Sequence, residues 1–285
     1  MFQTSWKSAE SKLGVPINGV IIPMASVPQA VMRFVRPAAF WTGDETWELQ
    51  FSGTIFIGHY RRKTIAIASG HQAEESPSSP SPRDLVILSH EGERIRAVSP
   101  HTIARPLVPK EEHFSLCDLC VYVFDENSST IKHEKMQLDD VFWSDKTTKS
   151  ADYSFLIGYP TDSRIIETTD EGVPIRFVNR WIRQDLQHAE PRLLDIENRN
   201  IFVKHEDSTR LSVNPDGLSG SPVFSIQADS KSNRNICFEG IITDAVGDRF
   251  AVYPSIYIKE FIDHLIDSPY LSAFWLIWRF LIPAL

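Results

Sequence analysis

Gly217-Leu218-Ser219-Gly220-Ser221-Pro222 runs directly into the apolar stretch Pro222-Val223-Phe224. A serine between two glycines, ahead of a strand-like run, marks a tight turn that presents a hydroxyl. Serine alone is a weak nucleophile. It needs an imidazole to take its proton, a carboxylate to hold that imidazole, and backbone N–H groups aimed at the developing oxyanion. Candidates lie upstream. His71 ends the run Ile67-Ala68-Ser69-Gly70-His71, and Asp118 sits among Leu116, Leu119 and Val121. A buried aspartate in such a run needs a partner. His101 and His113 are rival bases, but neither closes a comparable apolar strand. The segment is not the Gly-x-Ser-x-Gly elbow of α/β-hydrolases, because Ser221 stands where that motif has glycine.

Around these residues the chain reads as mostly strand. Strands are expected at Trp47 to Ile57, Thr64 to Ala68, Asp84 to Ser89, Arg94 to Ser99 and Leu116 to Phe124. After a polar connector at residues 125 to 150 the texture repeats. Strands are expected at Tyr153 to Ile157, Arg164 to Thr168, Ile175 to Val178, Asn200 to Val203, Pro222 to Ile226, Ile236 to Ile242 and Arg249 to Val252. Residues 75 to 83, rich in Ser and Pro, read as an exposed loop. Ser255 to Ile266 repeats apolar residues at helical spacing. Many short strands with turn-rich joins point to barrels or a sandwich.

Composition narrows the function classes. At 285 residues with 42% apolar content the chain fills one large domain or two joined ones. A formal charge of -8 argues against nucleic-acid binding, which needs dense Lys and Arg. The three cysteines form no disulfide framework. Cys117 and Cys120 would point to opposite faces of a strand, so they read as structural thiols rather than a metal or redox pair. No cofactor or metal is called for. Met1 to Lys12 is polar and Val20-Ile21-Ile22 is too short for a signal peptide core, so the expected location is cytoplasmic. The aromatic stretch 270–285 is shorter than a bilayer span and contains Arg279. A docked helix is favoured there over a partner-binding helix, and peripheral membrane contact ranks last.

The motifs together resemble the chymotrypsin-like (trypsin-like) serine peptidases, in particular bacterial members, over roughly residues 45 to 268. Gly53-Thr54-Ile55-Phe56-Ile57 is similar to the family strand preceding the histidine, with Ile55 in place of a second glycine. Asp118-Leu119-Cys120-Val121 is similar to the family's aspartate run, and Gly217-Leu218-Ser219-Gly220-Ser221-Pro222 to its nucleophile motif. Ile157-Gly158-Tyr159-Pro160, Phe238-Glu239-Gly240-Ile241-Ile242 and Ala251-Val252-Tyr253 match further family segments.

The resemblance implies an all-β fold of two six-stranded antiparallel β-barrels with a C-terminal helix. Residues 1–44 would form an extension packed on the body. Residues 45–135 would hold the first barrel, with His71 and Asp118. Residues 136–268 would hold the second barrel and helix, with Ser219, and 269–285 a hydrophobic tail. It implies Ser219 as nucleophile, His71 as base and then acid, Asp118 as orienter, and the N–H groups of Gly217 and Ser219 as the oxyanion hole. The substrate pocket would take its floor from Val213 and its walls from Thr243, Asp244, Ala245 and Ala251. An uncharged floor narrowed by Ala251 favours small or medium apolar side chains, while Asp244 is a candidate for attracting a basic residue along the groove. The substrate would be a protein or peptide. A regulatory protein would dock on the N-terminal extension or the aromatic tail.

One departure stands out. Leu218 replaces the acidic residue with which secreted members bind a freed N-terminus. Activity would then not depend on that cleavage, which leaves open whether the oxyanion hole is preformed. The competing expectations are a binding or scaffold module with idle site residues, and a non-peptidase acyl hydrolase such as an esterase.

Overall fold

The computed structural model describes residues 14–42, 49–73, 84–91, 94–106, 118–124, 135–144, 151, 153–168, 174–192, 198–206, 214–229 and 232–267. The expected loop at 75–83, the tail at 269–285, Cys117, His113 and Val213 lie outside them. In chain order the strands are β1 (Gly14–Ile17), β2 (Val20–Pro23), β3 (Val35–Trp41), β4 (Leu49–Tyr60), β5 (Lys63–Ala68), β6 (Leu85–Glu91), β7 (Arg94–Val98), β8 (Thr102–Ala104), β9 (Cys120–Phe124), β10 (Met136–Gln137) and β11 (Phe142–Trp143). Then follow β12 (Tyr153–Gly158), β13 (Arg164–Thr168), β14 (Pro174–Asn179), β15 (Ile182–Ala189), β16 (Asn200–Lys204), β17 (Pro222–Ala228), β18 (Arg234–Val246) and β19 (Arg249–Pro254). A short helix, Val27–Met32, precedes β3, and the helix Ser255–Asp267 follows β19.

The fold is mostly β, and its two large sheets differ. Six strands of the second half close on themselves in the order β18, β17, β12, β15, β16, β19 and back to β18, all antiparallel. The 13-residue β18 makes this closure, pairing β17 along one edge and β19 along the other. The first half is a curled sheet in the order β7-β6-β3-β4-β5-β9-β8. A second closed barrel is not seen: among the described residues no pairing joins the two edges of this sheet, β7 and β8. Sheet structure begins earlier than expected, because β3 lies within residues 1 to 44 and pairs both β4 and β6. The segment after residue 135 is no plain connector. Its β10 pairs β4 in parallel and its β11 pairs β18 in parallel, so it stitches the two sheets.

Strand alternation explains why these runs read as continuously apolar. Ile55, Ile57, Ala66 and Ala68 fill the concave side of the first sheet with Phe40 and Tyr122. Their neighbours Phe56, Ile65 and Ile67 face the other way. They meet Phe155, Phe224 and Phe238 from the barrel's outer face and Ile258, Phe261 and Ile262 from the helix Ser255–Asp267. The barrel interior holds Leu156, Val223, Ile242 and Val252. Strands buried on both faces lose the polar alternation of a half-exposed strand. The aromatic contacts between the sheets are close, with Phe56 edge-on to Phe224 at 5.4 Å between centroids. This middle core fixes one sheet against the other, and the candidate site lies along the same junction.

Candidate active site

Register places the first two groups. Strands β5 and β9 pair antiparallel, with Ala68 opposite Cys120. The residues just after β5 therefore lie beside those just before β9, which brings His71 to Asp118. A 3₁₀ turn at Gly70–Ala73 follows β5 and carries His71. Its Nδ1 lies 3.0 Å from both carboxylate oxygens of Asp118. The His71 backbone N–H donates to Oδ1 at 2.8 Å, and the buried Ser69 hydroxyl donates to the same oxygen at 2.7 Å. Ser69 Oγ also stands 2.7 Å from His71 Nδ1. Burial pushes the Asp118 carboxyl pKa up, but the bonds from His71 and Ser69 outweigh it, so the group sits below its ordinary value. A carboxylate held this way keeps the imidazole proton on Nδ1 and leaves Nε2 as an acceptor.

The third group comes from the barrel. His71 Nε2 is 3.0 Å from Ser219 Oγ, and His71 is half exposed while Asp118 is largely covered. The Ser219 turn is tied to its neighbours by backbone bonds. Leu218 N donates to Pro215 O at 2.9 Å, and Ser221 N to Leu218 O at 2.9 Å. Gly220 N donates to Ile242 O at 2.7 Å, and Ile242 N to Ser221 O at 2.9 Å. Two glycines make the turn feasible. Gly217 has φ +88° and a Cβ there would lie 2.7 Å from Thr161 N, while Gly220 has φ +77° and a Cβ there would collide with the Thr54 carbonyl. The Gly217 and Ser219 N–H groups donate to no other described residue. Asp216 O, which shares the Gly217 peptide unit, accepts from Thr161 N at 2.8 Å.

The chain matches no protein-family model and no curated protein. What it can do chemically is therefore read from this geometry.

The three side chains open onto a cleft of about 430 Å³, lined by His71 and Ser219 together with Gly217, Asp216, Asp244 and Ala245. Of the expected pocket residues, Asp244 and Ala245 thus face the same space as His71 and Ser219. Thr243 and Ala251 stand behind that wall rather than in it: Thr243 is buried and donates its hydroxyl to Ala251 O at 3.4 Å. Val213, the expected floor, lies outside the described residues. The rival His101 sits beside β9, its backbone N–H on Val123 O at 2.7 Å, and is not a cleft residue. Leu218 is 2% exposed and packs inside the barrel with Val223, Ile242 and Val252. Leu218 is thus an apolar anchor for the Ser219 turn. Cys120 is fully buried and its thiol pKa is pushed up to about 12 by that burial, which makes it inert.

Several site residues escaped the sequence reading. Ser69 and Gln72 flank His71, and adjacency was their only signal. The Gln72 side-chain amide donates to Ser219 O. Thr54, 165 residues of chain away from Ser219, reaches the turn only through folding. Buried Arg199 lies behind the expected pocket wall, its Nε 3.0 Å from Thr243 Oγ1 and its guanidinium over the Tyr253 ring at 4.5 Å. Among the described residues no group of three or more His, Cys, Asp or Glu is arranged to hold a metal ion. No helix among them is long and apolar enough to cross a membrane.

Proposed function

We propose that this protein is a serine endopeptidase that cleaves proteins or peptides through an acyl-enzyme. The reading rests on one observation above all: Ser219 Oγ, His71 Nε2 and Nδ1, and Asp118 stand in one hydrogen-bonded line with 3.0 Å at each step. In this scheme His71 removes the proton as Ser219 attacks the scissile carbonyl, then returns it to the leaving amine. Asp118 steadies the imidazolium that forms between those events. The N–H groups of Gly217 and Ser219 face the developing oxyanion. Water then repeats the sequence on the acyl-enzyme and releases Ser219.

Ala245 lines the cleft, and the hydroxyl of Thr243 behind it is engaged by Arg199 and Ala251 O rather than offered to a substrate. An uncharged wall at this place is in keeping with small or medium apolar side chains before the cut.

The test uses a fluorophosphonate probe and a peptide library on the full chain and on Ser219→Ala. Labelling at Ser219, with library cleavage that drops about 10⁶-fold in the variant, is the expected result. An unlabelled, inert wild-type protein that folds normally would turn the reading into that of a scaffold whose site residues are idle. Ester turnover without peptide cleavage would point instead to an esterase.

A further inference from the structure

We propose that Thr54 is the positioning residue that holds the oxyanion turn in its working shape, by clamping it from the opposite sheet. This deepens the peptidase reading and rests on it for its kinetic consequence. Thr54 is fully buried on β4, the strand paired with β5, which leads into the turn that carries His71. Its hydroxyl donates to Gly217 O at 3.1 Å and accepts from Tyr159 N at 2.9 Å. Its backbone N–H donates to Ser219 O at 3.0 Å. Its own carbonyl occupies the space that a side chain at Gly220 would need. One residue of the first sheet therefore touches three consecutive features of the barrel's turn: the carbonyl before Leu218, the carbonyl of Ser219 and the bare backbone of Gly220.

The chemistry follows from peptide planarity. A carbonyl fixed by a donor fixes the N–H of the next residue in the same plane. Thr161 N on Asp216 O orients the Gly217 N–H, and Thr54 Oγ1 on Gly217 O orients the next peptide unit. The Thr54 N–H and the Gln72 amide both hold Ser219 O. The amides of Gly217 and Ser219, the two needed at the oxyanion, thus lie between peptide units whose rotation is blocked from outside the turn. The buried Leu218 side chain anchors the turn from the barrel side. Together these contacts replace an ion pair to a freed N-terminus, and the turn needs no activating cleavage. The same contacts span the junction, so the positions of His71 and Ser219 are coupled through Thr54.

The experiment compares Thr54→Val, which keeps the branched shape but removes the hydroxyl, with Thr54→Ser, which keeps the hydroxyl. Amide hydrogen exchange over residues 214–222 is read in the full chain, with thermal midpoint as a fold control. The Val variant is expected to exchange at least tenfold faster there while the rest of the barrel is unchanged, and the Ser variant to stay near wild type. Kinetics then divide a positioning role from a merely structural one. The Val variant should lose about 10- to 100-fold in kcat and in fluorophosphonate labelling rate, with KM little changed, and Ser should restore both. Unchanged exchange in a folded Val variant would overturn the clamp. So would wild-type kcat in that variant, or a loss confined to KM. If Val does not fold, Thr54→Ala is read in its place: faster exchange over 214–222 with slowed labelling supports the clamp, and wild-type exchange overturns it. A wild-type protein that no probe labels sinks the peptidase reading alone, because the exchange data still decide the clamp.

Discussion

The open sheet and the closed barrel each bury a carboxylate, and they treat it in opposite ways. Asp118, at the mouth of the open sheet, receives two N–H groups of His71 and the Ser69 hydroxyl, and its carboxyl is held below the ordinary range against the pull of burial. Glu239, inside the closed barrel's strand β18, accepts from Ser225 Oγ, yet burial dominates and pushes its carboxyl above the ordinary range. Asp118 lies just before β9, where both a backbone N–H and a ring N–H of the 69–71 turn reach it. Glu239 lies within a ladder whose backbone N–H groups pair with neighbouring strands, and the side-chain bonds it makes with Ser144, Ser225 and Cys237 do not offset its burial. The difference teaches where chemistry can sit in this molecule. The acid–base pair belongs to the open sheet, while the barrel supplies a rigid turn and closes around an apolar interior.

The largest expected effect breaks the open-sheet side of this contrast. Asp118→Asn keeps the size but places an amide against Nδ1. An amide NH₂ facing that nitrogen drives the ring proton to Nε2, where it can no longer accept from Ser219. A fall of about 10⁴ in kcat is expected, with labelling of Ser219 slowed in proportion. In the native protein the depressed carboxyl contributes stability above its unfolded pKa, and this is lost as pH falls through the still lower folded value. The acid limb of the denaturation curve should therefore move to higher pH in a protein where Ser69→Ala removes one of the donors. Wild-type kcat in Asp118→Asn would remove Asp118 from the mechanism.

A smaller effect is expected from the seam where the two sheets meet. Gly220→Ala asks an L residue to adopt φ +77° and drives a methyl into the Thr54 carbonyl, which is backbone and cannot step aside. A loss of about 3 kcal/mol in unfolding free energy is expected, read from denaturant midpoints. Ala at Gly19, also at positive φ but with nothing near it, is the matched control and should cost about 1 kcal/mol. Equal losses at the two positions would mean that the seam itself adds nothing.

Much of this was legible in the sequence, and the failures have physical causes. The Ser219 turn announced itself because glycines at positive φ and a following apolar strand leave a local mark. His71 and Asp118 were legible because each ends or begins a buried run, and register does the rest. Strand β15 was missed because residues such as Arg183, Gln184 and Asp185 mask its pattern, and in the fold Arg183 and Asp185 pair on its surface at 2.7 Å. Strand β3 was missed because Pro37 interrupts it, at a bulge where the register to β4 shifts. The openness of the first sheet was not readable, since closure depends on which strand edges meet and not on any one segment. Thr54 and Arg199 were invisible for the same reason, as their partners lie far along the chain.

The smallest expected effect sharpens the contrast from the barrel side. Because the Glu239 carboxyl is raised in the folded state, the folded protein holds a proton that the unfolded chain releases near the ordinary value of about 4.3. As pH rises from there through the folded value, the native state must either keep an acid neutral or ionise it in the barrel, and stability falls. Above that window the penalty is complete and constant. Glu239→Gln retains an acceptor for Ser225 and cannot ionise, so it should match wild type at the acid end and become the more stable protein as pH rises. Urea midpoints between pH 4 and 8 give both curves. Parallel curves would mean that Glu239 keeps its charge in the fold, and that the barrel accommodates a carboxylate as readily as the open sheet does. The sign separates this acid from Asp118, whose contribution disappears below the ordinary carboxylate range rather than above it. Two buried acids in one chain thus report, through opposite slopes, which of their surroundings was built to hold a charge.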